Sequence, residues 1–404
     1  MTSLEVSIGI SGLTPQEVIA IARDHARVTI SQEAMQEMER TRSTVDELAA
    51  SDIPAYGIST GFGALARKHI EPELRVQLQK SLIRSHAASS GDPVEEEVVR
   101  AMMALRLSTM CSGRTGVRPS TAVTYASLLN ARITPLVREF GSLGCSGDLA
   151  PLSTCALALM GEGEVKNARG EIMSASSAMA EAGITPIELT SKEGLALING
   201  TDGMTGMLIM AIDDANALLK TVDVTAAMSI EALLGTDKVF AEELHSIRPH
   251  PGQNNSARNL RELLKDSPLV KSHAGKEDNR VQDAYSLRCA PQVAGGARDT
   301  VAHALEVAKR ELNSVIDNPI VLADGQVRSN GNFHGAPIAY VLDFLAIALA
   351  DVASMAERRT DRALDEHRNF GLPPFLADNA GVDSGMMIAQ YTQAGLVSEM
   401  KRLA

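Results

Sequence analysis

The sequence contains no tryptophan, and aromatic residues make up only 3% of its 404 residues. Aliphatic and alanine side chains must therefore form the hydrophobic core. Basic residues are also outnumbered, with 38 Lys and Arg against 50 Asp and Glu, so the net charge is −12. An acidic chain is repelled by the phosphates of nucleic acids and by anionic membranes, and neither is expected as a partner.

Cysteine is scarce as well. The four cysteines contain no C-x-x-C pair, so no disulfide framework is expected. The first ten residues lack the basic segment and apolar run of a signal peptide. The longest unbroken apolar stretch, around Phe344–Ala350, is too short to cross a bilayer. We therefore expect a cytoplasmic protein, and the scattered histidines predict no metal site.

Apolar residues recur at spacings of three and four in three segments, which lie at 208–222, 301–315 and 338–356. This pattern predicts long helices that bury one face against partner helices. Thr14-Pro15-Gln16-Glu17 is typical of a capping box at a helix start. Hairpins are predicted around Asp324-Gly325 and within 163–173. The fold class is mainly α, a long-helix bundle at 201–404 preceded by a mixed N-terminal region at 1–200.

The most informative segment is Gly144-Cys145-Ser146-Gly147-Asp148-Leu149-Ala150-Pro151. The amide nitrogen of Gly147 has no Cβ beside it and can attack the carbonyl carbon of Cys145 in a tight turn. Ring closure releases one water, and Ser146 loses a second. The product carries a methylidene conjugated with carbonyls, which makes it an electrophile. A surface turn capped by Asp148 is the alternative, because Ser-Gly-Asp is common in turns.

The stretch GSLGCSGDLAPLS (residues 141–153) resembles the prosthetic-group motif of the aromatic amino acid ammonia-lyases, above all of bacterial members that act on histidine. Cys145 stands where the family usually has Ala. The resemblance runs from about Leu13 to the last residue. It implies a helical-bundle fold, a homotetramer, no metal, and a 4-methylidene-imidazol-5-one (MIO) ring formed autocatalytically from Cys145-Ser146-Gly147.

Two further segments carry the resemblance. Tyr56 opens Tyr-Gly-Ile-Ser-Thr-Gly-Phe-Gly, which is similar to the family segment whose Tyr removes the β-proton of the substrate. A phenol with a pKa near 10 needs positive neighbours for this task. His86 matches a pocket position where His accompanies histidine or tyrosine as substrate, although a lone helical His is often structural.

The remaining implied site residues lie in four segments between residues 199 and 390. Asn199 would bind the substrate or the ring carbonyl, or would cap the next helix together with Thr201. Arg288 would grip the substrate carboxylate with two parallel hydrogen bonds, or would form a surface salt bridge. The other implied positions are Gln282, Tyr285, Phe333 and Gln390.

The resemblance implies non-oxidative deamination of L-histidine to urocanate and ammonia, with catalytic roles for Tyr56, Tyr285 and the Cys145–Gly147 triplet. A tyrosine or phenylalanine ammonia-lyase or aminomutase stays open, as do an inactive shortened scaffold homologue and a fumarase-like lyase. Family members continue past the position of Ala404 with a Gln-Glu-Asp-His segment whose Glu faces the imidazole. We expect that substrate contact to lie outside this sequence. A second difference is Thr154, where the family often has His.

Overall fold

A computed structural model describes residues 4–51, 57–61, 68, 70–275 and 281–404. Over these residues the chain is mainly helical, as the sequence predicts. Two compact units are present: unit 1 contains Met1–Met210 and Val307–Ala339, and unit 2 contains Ala211–Glu306 and Tyr340–Ala404. These two units do not test the predicted domain division at residue 200, which stays a prediction.

The helices follow one another along the whole of the described chain. They are α1 Pro15–Ala22, α2 Gln32–Ala50, α3 Arg75–His86, α4 Glu96–Cys111, α5 Pro119–Asn130, α6 Leu149–Leu159, α7 Ala175–Glu181, α8 Glu193–Ile198, α9 Asp202–Ala232, α10 Glu242–Ser246, α11 Pro251–Leu264, α12 Pro268–Ser272, α13 Tyr285–Arg288, α14 Ala290–Leu312, α15 Ala336–Leu364 and α16 Met387–Leu403. Short 3-10 helices lie at Pro72–Leu74, Lys238–Phe240 and Pro374–Leu376.

The predicted long helices are confirmed as α9, α14 and α15. The apolar stripe of α9 is buried from Leu208 to Val222. Helix α14 ends at Leu312, so Val315 of the predicted second stripe lies beyond it. The capping box is also confirmed, because the Thr14 side chain accepts from the Glu17 amide and the Glu17 carboxylate accepts from the Thr14 amide.

The strands are short and form small sheets. They are β1 Glu5–Ile8, β2 Arg27–Ile30, β3 Ser90–Pro93, β4 Thr134–Pro135, β5 Arg138–Phe140, β6 Glu164–Lys166, β7 Ile172–Ser174, β8 Ile320–Val321 and β9 Val327–Arg328. Strands β1 and β2 pair in parallel, β3 pairs with β5, and β4, β6 and β7 form a three-stranded sheet. Both predicted hairpins are confirmed as β6–β7 and β8–β9, with Gly325 at φ +81° in the second turn.

Helix α4 forms the centre of unit 1, where it contacts α1, α2, α5 and α6. Every residue from Val98 to Cys111 is buried. The Arg100 guanidinium on this helix donates to carbonyl groups at the C-terminal ends of α1 and α5. These acceptors belong to Ile21, Ala22 and Leu129. Burial lowers the pKa of Arg100 to about 10.

Unit 2 has its own apolar core, in which α9 and α11 pack with the segment that leads into α14. Its fully or almost fully buried members include Ile230, Leu233, Phe240, Leu260 and Leu287. A polar link joins the same elements, since Asp223 accepts from Ser256 at 2.5 Å and from Arg298 at 2.6 Å. Leu287 of the short helix α13 is part of this core, so the core holds α13 in place.

Two helical stretches, Glu193–Ala232 and Ala336–Leu364, are long and apolar enough to cross a membrane by length and composition. This differs from the expectation, which was drawn from unbroken apolar runs and not from the mean hydropathy over 18 residues. In the first stretch 78% of the most apolar window is buried, and in the second 28%. Buried core helices of soluble proteins meet the same criterion, so the finding is weak support for a membrane span.

Candidate active site

Cys145 and Ser146 occupy the middle of a tight turn in unit 1. The Gly147 amide donates to the Gly144 carbonyl at 3.1 Å, and the two glycines have φ values of +75° and +73°. A Cβ at Gly147 would also overlap the carbonyl oxygen of Gly200. Positive φ and the lack of space both require glycine at 147. The residues present therefore fit the ring that the sequence predicts.

The turn is held by two neighbouring segments of unit 1. The Gly335 amide donates to the Gly144 carbonyl at 2.8 Å, and the Asp148 amide donates to the Gly200 carbonyl at 2.7 Å. The Phe333 carbonyl oxygen lies 3.3 Å from the position that a Cβ at residue 147 would take. Segments 144–148, 199–200 and 333–335, which are far apart in the sequence, are thus direct neighbours.

Asp148 anchors the turn and is almost completely buried. Its carboxylate accepts from the Ser142 hydroxyl at 2.7 Å and from the amides of Gly203 and Met204 at 2.8 and 3.0 Å. The two amides belong to the first turn of α9, so Asp148 caps that helix and not α6, which it precedes. Cys145 in the same turn is exposed, so the alternative of a surface turn stays open beside ring formation. Burial raises the pKa of Asp148 to about 6.

Asn199 follows α8 directly and is 8% exposed. Its side-chain oxygen Oδ1 is buried and has no hydrogen-bond partner. Buried polar atoms are normally paired, so an unpaired amide oxygen beside the turn is suited to a ligand. The alternative that Asn199 caps α9 is wrong, and the Thr201 hydroxyl donates instead to Glu311 at 2.6 Å.

Tyr285 and Arg288 are the first and last residues of α13 in unit 2. The guanidinium carbon of Arg288 lies 4.5 Å from the centre of the Tyr285 ring, a cation–π contact. The buried Nε of Arg288 has no hydrogen-bond partner. A guanidinium held by an aromatic face with a free N–H is suited to a carboxylate. Gln282 is exposed in the segment before α13.

Gln390 lies on α16 in unit 2, where its side-chain amide donates to Glu357 at 2.6 Å. It borders a cavity of about 310 Å³. The cavity is also lined by Asp361, His367, Arg368, Met387 and Tyr391. Because the amide nitrogen already donates to Glu357, the Gln390 oxygen is the atom suited to accept a hydrogen bond from a ligand.

His86 is the last residue of α3 in unit 1 and is half-buried. Its Nδ1 lies 2.9 Å from both the Leu82 carbonyl and the Ser85 hydroxyl. These contacts to its own helix fix the orientation of the imidazole. They agree with the structural role and leave the substrate-pocket role a prediction.

Tyr56 lies outside the described residues, together with Phe62 and Gly63 of the same motif. The other site residues predicted from the sequence fall in both units. Unit 1 contains His86, Cys145, Ser146, Gly147, Asn199 and Phe333, and unit 2 contains Gln282, Tyr285, Arg288 and Gln390. Among the described residues, no group of three or more His, Cys, Asp or Glu side chains is placed to hold a metal ion.

Two residues escaped the sequence-based reasoning. Asp148 stood inside the informative segment, but its partners Gly203 and Met204 lie more than fifty positions away. Arg106 lies in the apolar run of α4 and has no motif of its own. Its charge in the middle of a buried helix was the available signal, because an unpaired buried charge is too costly to occur without partners.

The mainly helical fold and the glycine-bounded turn are those expected of a lyase of the aromatic amino acid type. The family model "Aromatic amino acid lyase" matches residues 13–404, and the chain belongs to that family. It is 65% identical over 399 residues to histidine ammonia-lyase of Streptomyces avermitilis, covering 99% of this chain and 78% of the relative. The chain therefore spans about four fifths of that relative's length.

Solved structures agree with the family assignment. A tyrosine aminomutase from Streptomyces globisporus matches with a TM-score of 0.91 at 38% identity, covering 99% of this chain and 78% of that chain. Histidine ammonia-lyase from Trypanosoma cruzi matches with a TM-score of 0.88, also at 38% identity, covering 98% of this chain and 74% of that chain. The predicted fold class is confirmed.

Proposed function

We propose that this chain catalyses the non-oxidative deamination of L-histidine to urocanate and ammonia. The observation that carries the proposal is the glycine-bounded turn at Cys145–Gly147, which is held against Gly200 beside the unpaired amide oxygen of Asn199. The reaction removes a proton from Cβ and the amino group from Cα, and it leaves a carbon–carbon double bond. Both bonds must break without an oxidant. Because an amine leaves poorly, it has to be made a better leaving group.

The cofactor in this proposal is the MIO ring made from Cys145, Ser146 and Gly147. Once formed, it supplies an electrophile for the substrate amine, which a side chain of the usual set cannot provide. The structure supports the proposal at residue level, because Gly147 is confined by its positive φ and by Gly200. No metal ion takes part in this scheme.

The remaining roles fall to side chains that bind the substrate and move one proton. Arg288 binds the carboxylate through its guanidinium, and Asn199 donates or accepts a hydrogen bond through its side-chain amide. Tyr56 accepts the β-proton, with Tyr285 as the second phenol of the site. His86, Gln282, Phe333 and Gln390 bind or enclose the substrate.

We propose further that the enzyme is a soluble cytoplasmic homotetramer that acts on a small amino acid. The relatives named histidine ammonia-lyase support histidine over tyrosine and phenylalanine, since the S. avermitilis protein is 65% identical and the tyrosine aminomutase 38%. An aminomutase would share the catalytic residues proposed here. It differs in returning the amino group to the β-carbon of its product.

A substrate panel tests the proposal. Purified protein is incubated separately with L-histidine, L-tyrosine and L-phenylalanine, and the unsaturated acids, the β-amino acids and ammonia are quantified. Urocanate and ammonia in equal amounts from histidine support it. A β-amino acid or a different preferred substrate would establish the neighbouring activity instead. The variant Ser146→Ala, which cannot lose the second water, serves as the inactive control.

A further inference from the structure

The guanidinium of Arg106, on the central helix α4, gathers four acceptors in the interior of unit 1. The side chain is completely buried. Its Nη1 donates to the carbonyls of Ala196 and Asn199 at 3.0 and 3.1 Å. Its Nη2 donates to the carbonyl of Ile316 at 3.0 Å and lies 2.8 Å from the Asp202 carboxylate. Only a planar group with several fixed donors can hold these acceptors together.

The same guanidinium packs against the backbone of Gly200. A Cβ at this position would overlap both Nη2 of Arg106 and the Asp202 carboxylate. On its other side, Gly200 accepts the 2.7 Å hydrogen bond from the Asp148 amide. The Gly200 carbonyl oxygen also leaves no room for a Cβ at residue 147. Arg106 therefore contacts segment 199–202 on one side, and the turn at 144–148 contacts the same segment on the other side.

We propose that Arg106 is the positioning residue for ring formation and for the orientation of Asn199. The inference rests on the proposed function and assigns it a residue that touches neither substrate nor ring. Ring closure requires the Gly147 nitrogen to approach the Cys145 carbonyl carbon, and a turn that can relax away from Gly200 would close more slowly. The hydrogen bond from Nη1 to the Asn199 carbonyl fixes the residue whose Oδ1 is unpaired.

The local charges decide which substitution is informative. Burial raises the pKa of the Asp202 carboxyl, and the Arg106 charge opposes this shift. A neutral residue at 106 would leave the Asp202 carboxylate alone in the interior, so loss of folding would obscure the result. Arg106→Lys keeps the charge beside Asp202, but its single ammonium cannot serve Asn199, Ala196 and Ile316 at once.

Arg100→Lys is the matched control. Arg100 lies on the same helix, is equally buried, and also donates to three carbonyls. Those carbonyls belong to Ile21, Ala22 and Leu129, and none lies in segment 199–202. Both substitutions therefore remove comparable buried hydrogen bonds from α4, while only one of them reaches the turn.

The experiment measures the mass of the peptide that contains Gly144–Pro151, from freshly purified folded protein of each variant. The time course of water loss is followed as well. We expect Arg106→Lys to slow ring closure by roughly tenfold, the effect of one lost positioning hydrogen bond, and Arg100→Lys to match wild type. In the Arg106→Lys molecules that do form the ring, kcat for histidine should fall. A structural role alone would leave kcat per ring unchanged.

Equal ring formation in Arg106→Lys and Arg100→Lys, with equal kcat per ring, would overturn the inference. Equal losses in both would also overturn it, because they would reflect a general loss of stability. A wild-type peptide without the two-water deficit would instead defeat the proposed function, and the inference with it. If Arg106→Lys does not fold, Gly200→Ala is measured instead, because a Cβ there would overlap Nη2 of Arg106. The control is Gly296→Ala, whose Cβ meets no atom within 4 Å. Ring closure in Gly200→Ala as fast as in this control would overturn the inference.

Discussion

The Asp148 carboxylate caps a helix that begins 54 residues later, accepting a 2.8 Å hydrogen bond from the Gly203 amide. The same side chain follows the proposed ring-forming triplet directly. One carboxylate thus ties the start of α9 to the turn at Cys145–Gly147. The amides at this helix N-terminus favour the ionised carboxylate, but burial outweighs them and raises the pKa of Asp148.

Two substitutions of Asp148 distinguish its role as a helix cap from the effect of its charge. Asp148→Ala leaves the Gly203 and Met204 amides and the Ser142 hydroxyl without their acceptor, and the free energy of unfolding should fall by about 2 kcal/mol. Asp148→Asn keeps an amide oxygen for the two backbone amides and should lose less. Urea unfolding measures both. Ser174→Ala, which removes the N-cap of α7 alone, is the control that should leave ring formation intact.

Stability equal to wild type in Asp148→Ala would contradict the capping role. A loss of ring formation in Ser174→Ala would show that any lost cap disturbs the turn, which the structure does not predict.

The raised pKa of Asp148 gives a pH dependence of known sign. Burial raises this pKa from 3.8 to about 6, so between those values the folded state binds the proton more tightly than the unfolded state. The contribution of Asp148 to stability is therefore largest below pH 4 and declines as pH rises to 6. Relative to Asp148→Asn, wild type should lose roughly 2 kcal/mol between pH 4 and pH 7.

Urea unfolding of both proteins at several pH values tests this difference. The neighbouring acids Asp202, Asp317 and Glu311, whose pKa values burial also raises, are present in both proteins. A difference that stays constant with pH, or that grows in favour of wild type, would show that Asp148 is ionised in the fold at low pH.

Gly147→Ala tests the confinement of the turn. The substitution meets two obstacles, a φ of +75° and overlap with the Gly200 carbonyl oxygen. Gly183→Ala is the matched control, since its φ is +68° but a Cβ there meets no atom within 4 Å. The control should cost about 1 kcal/mol of unfolding free energy from backbone strain alone. Gly147→Ala should cost clearly more and abolish ring formation, and equal costs would contradict the overlap.

The sequence predicted local elements well because their signals are local. The hairpin at Asp324-Gly325, the Thr14 capping box and the stripe of α9 all depend on residues a few positions apart, and all are confirmed. Which helix Asp148 caps could not be predicted, because its partners are brought close only by tertiary packing. Composition shows that an Asp is available, and never which distant amide it meets.

The site was predicted in the same uneven way. Ring closure requires a tight turn at 144–147, and the structure shows one. The contact of Arg106 with segment 199–202 could not be predicted, because no motif or periodic pattern in α4 indicates a partner for this side chain. The roles of Tyr285, Arg288 and Gln390 stay predictions, and each rests on a position whose contacts lie within unit 2.

Arg288→Lys tests the carboxylate clamp. Lysine keeps the positive charge but loses the planar pair of donors and the stacking on Tyr285. KM for histidine should rise roughly 10- to 100-fold, as the loss of one charge-assisted hydrogen bond implies. Steady-state kinetics measure this, with Arg169→Lys as control because Arg169 lies in unit 1 and pairs with Glu171 on the surface. An unchanged KM would show that Arg288 does not bind the carboxylate.

The central claim is that this chain makes its own electrophile at Cys145-Ser146-Gly147, and the mass of the peptide containing Gly144–Pro151 tests it most directly. The peptide is taken from folded wild-type protein and compared with the same peptide from Ser146→Ala. A wild-type mass lower than the encoded sequence by two water molecules, with no such deficit in the variant, is the predicted result. The encoded mass in wild type would contradict the account.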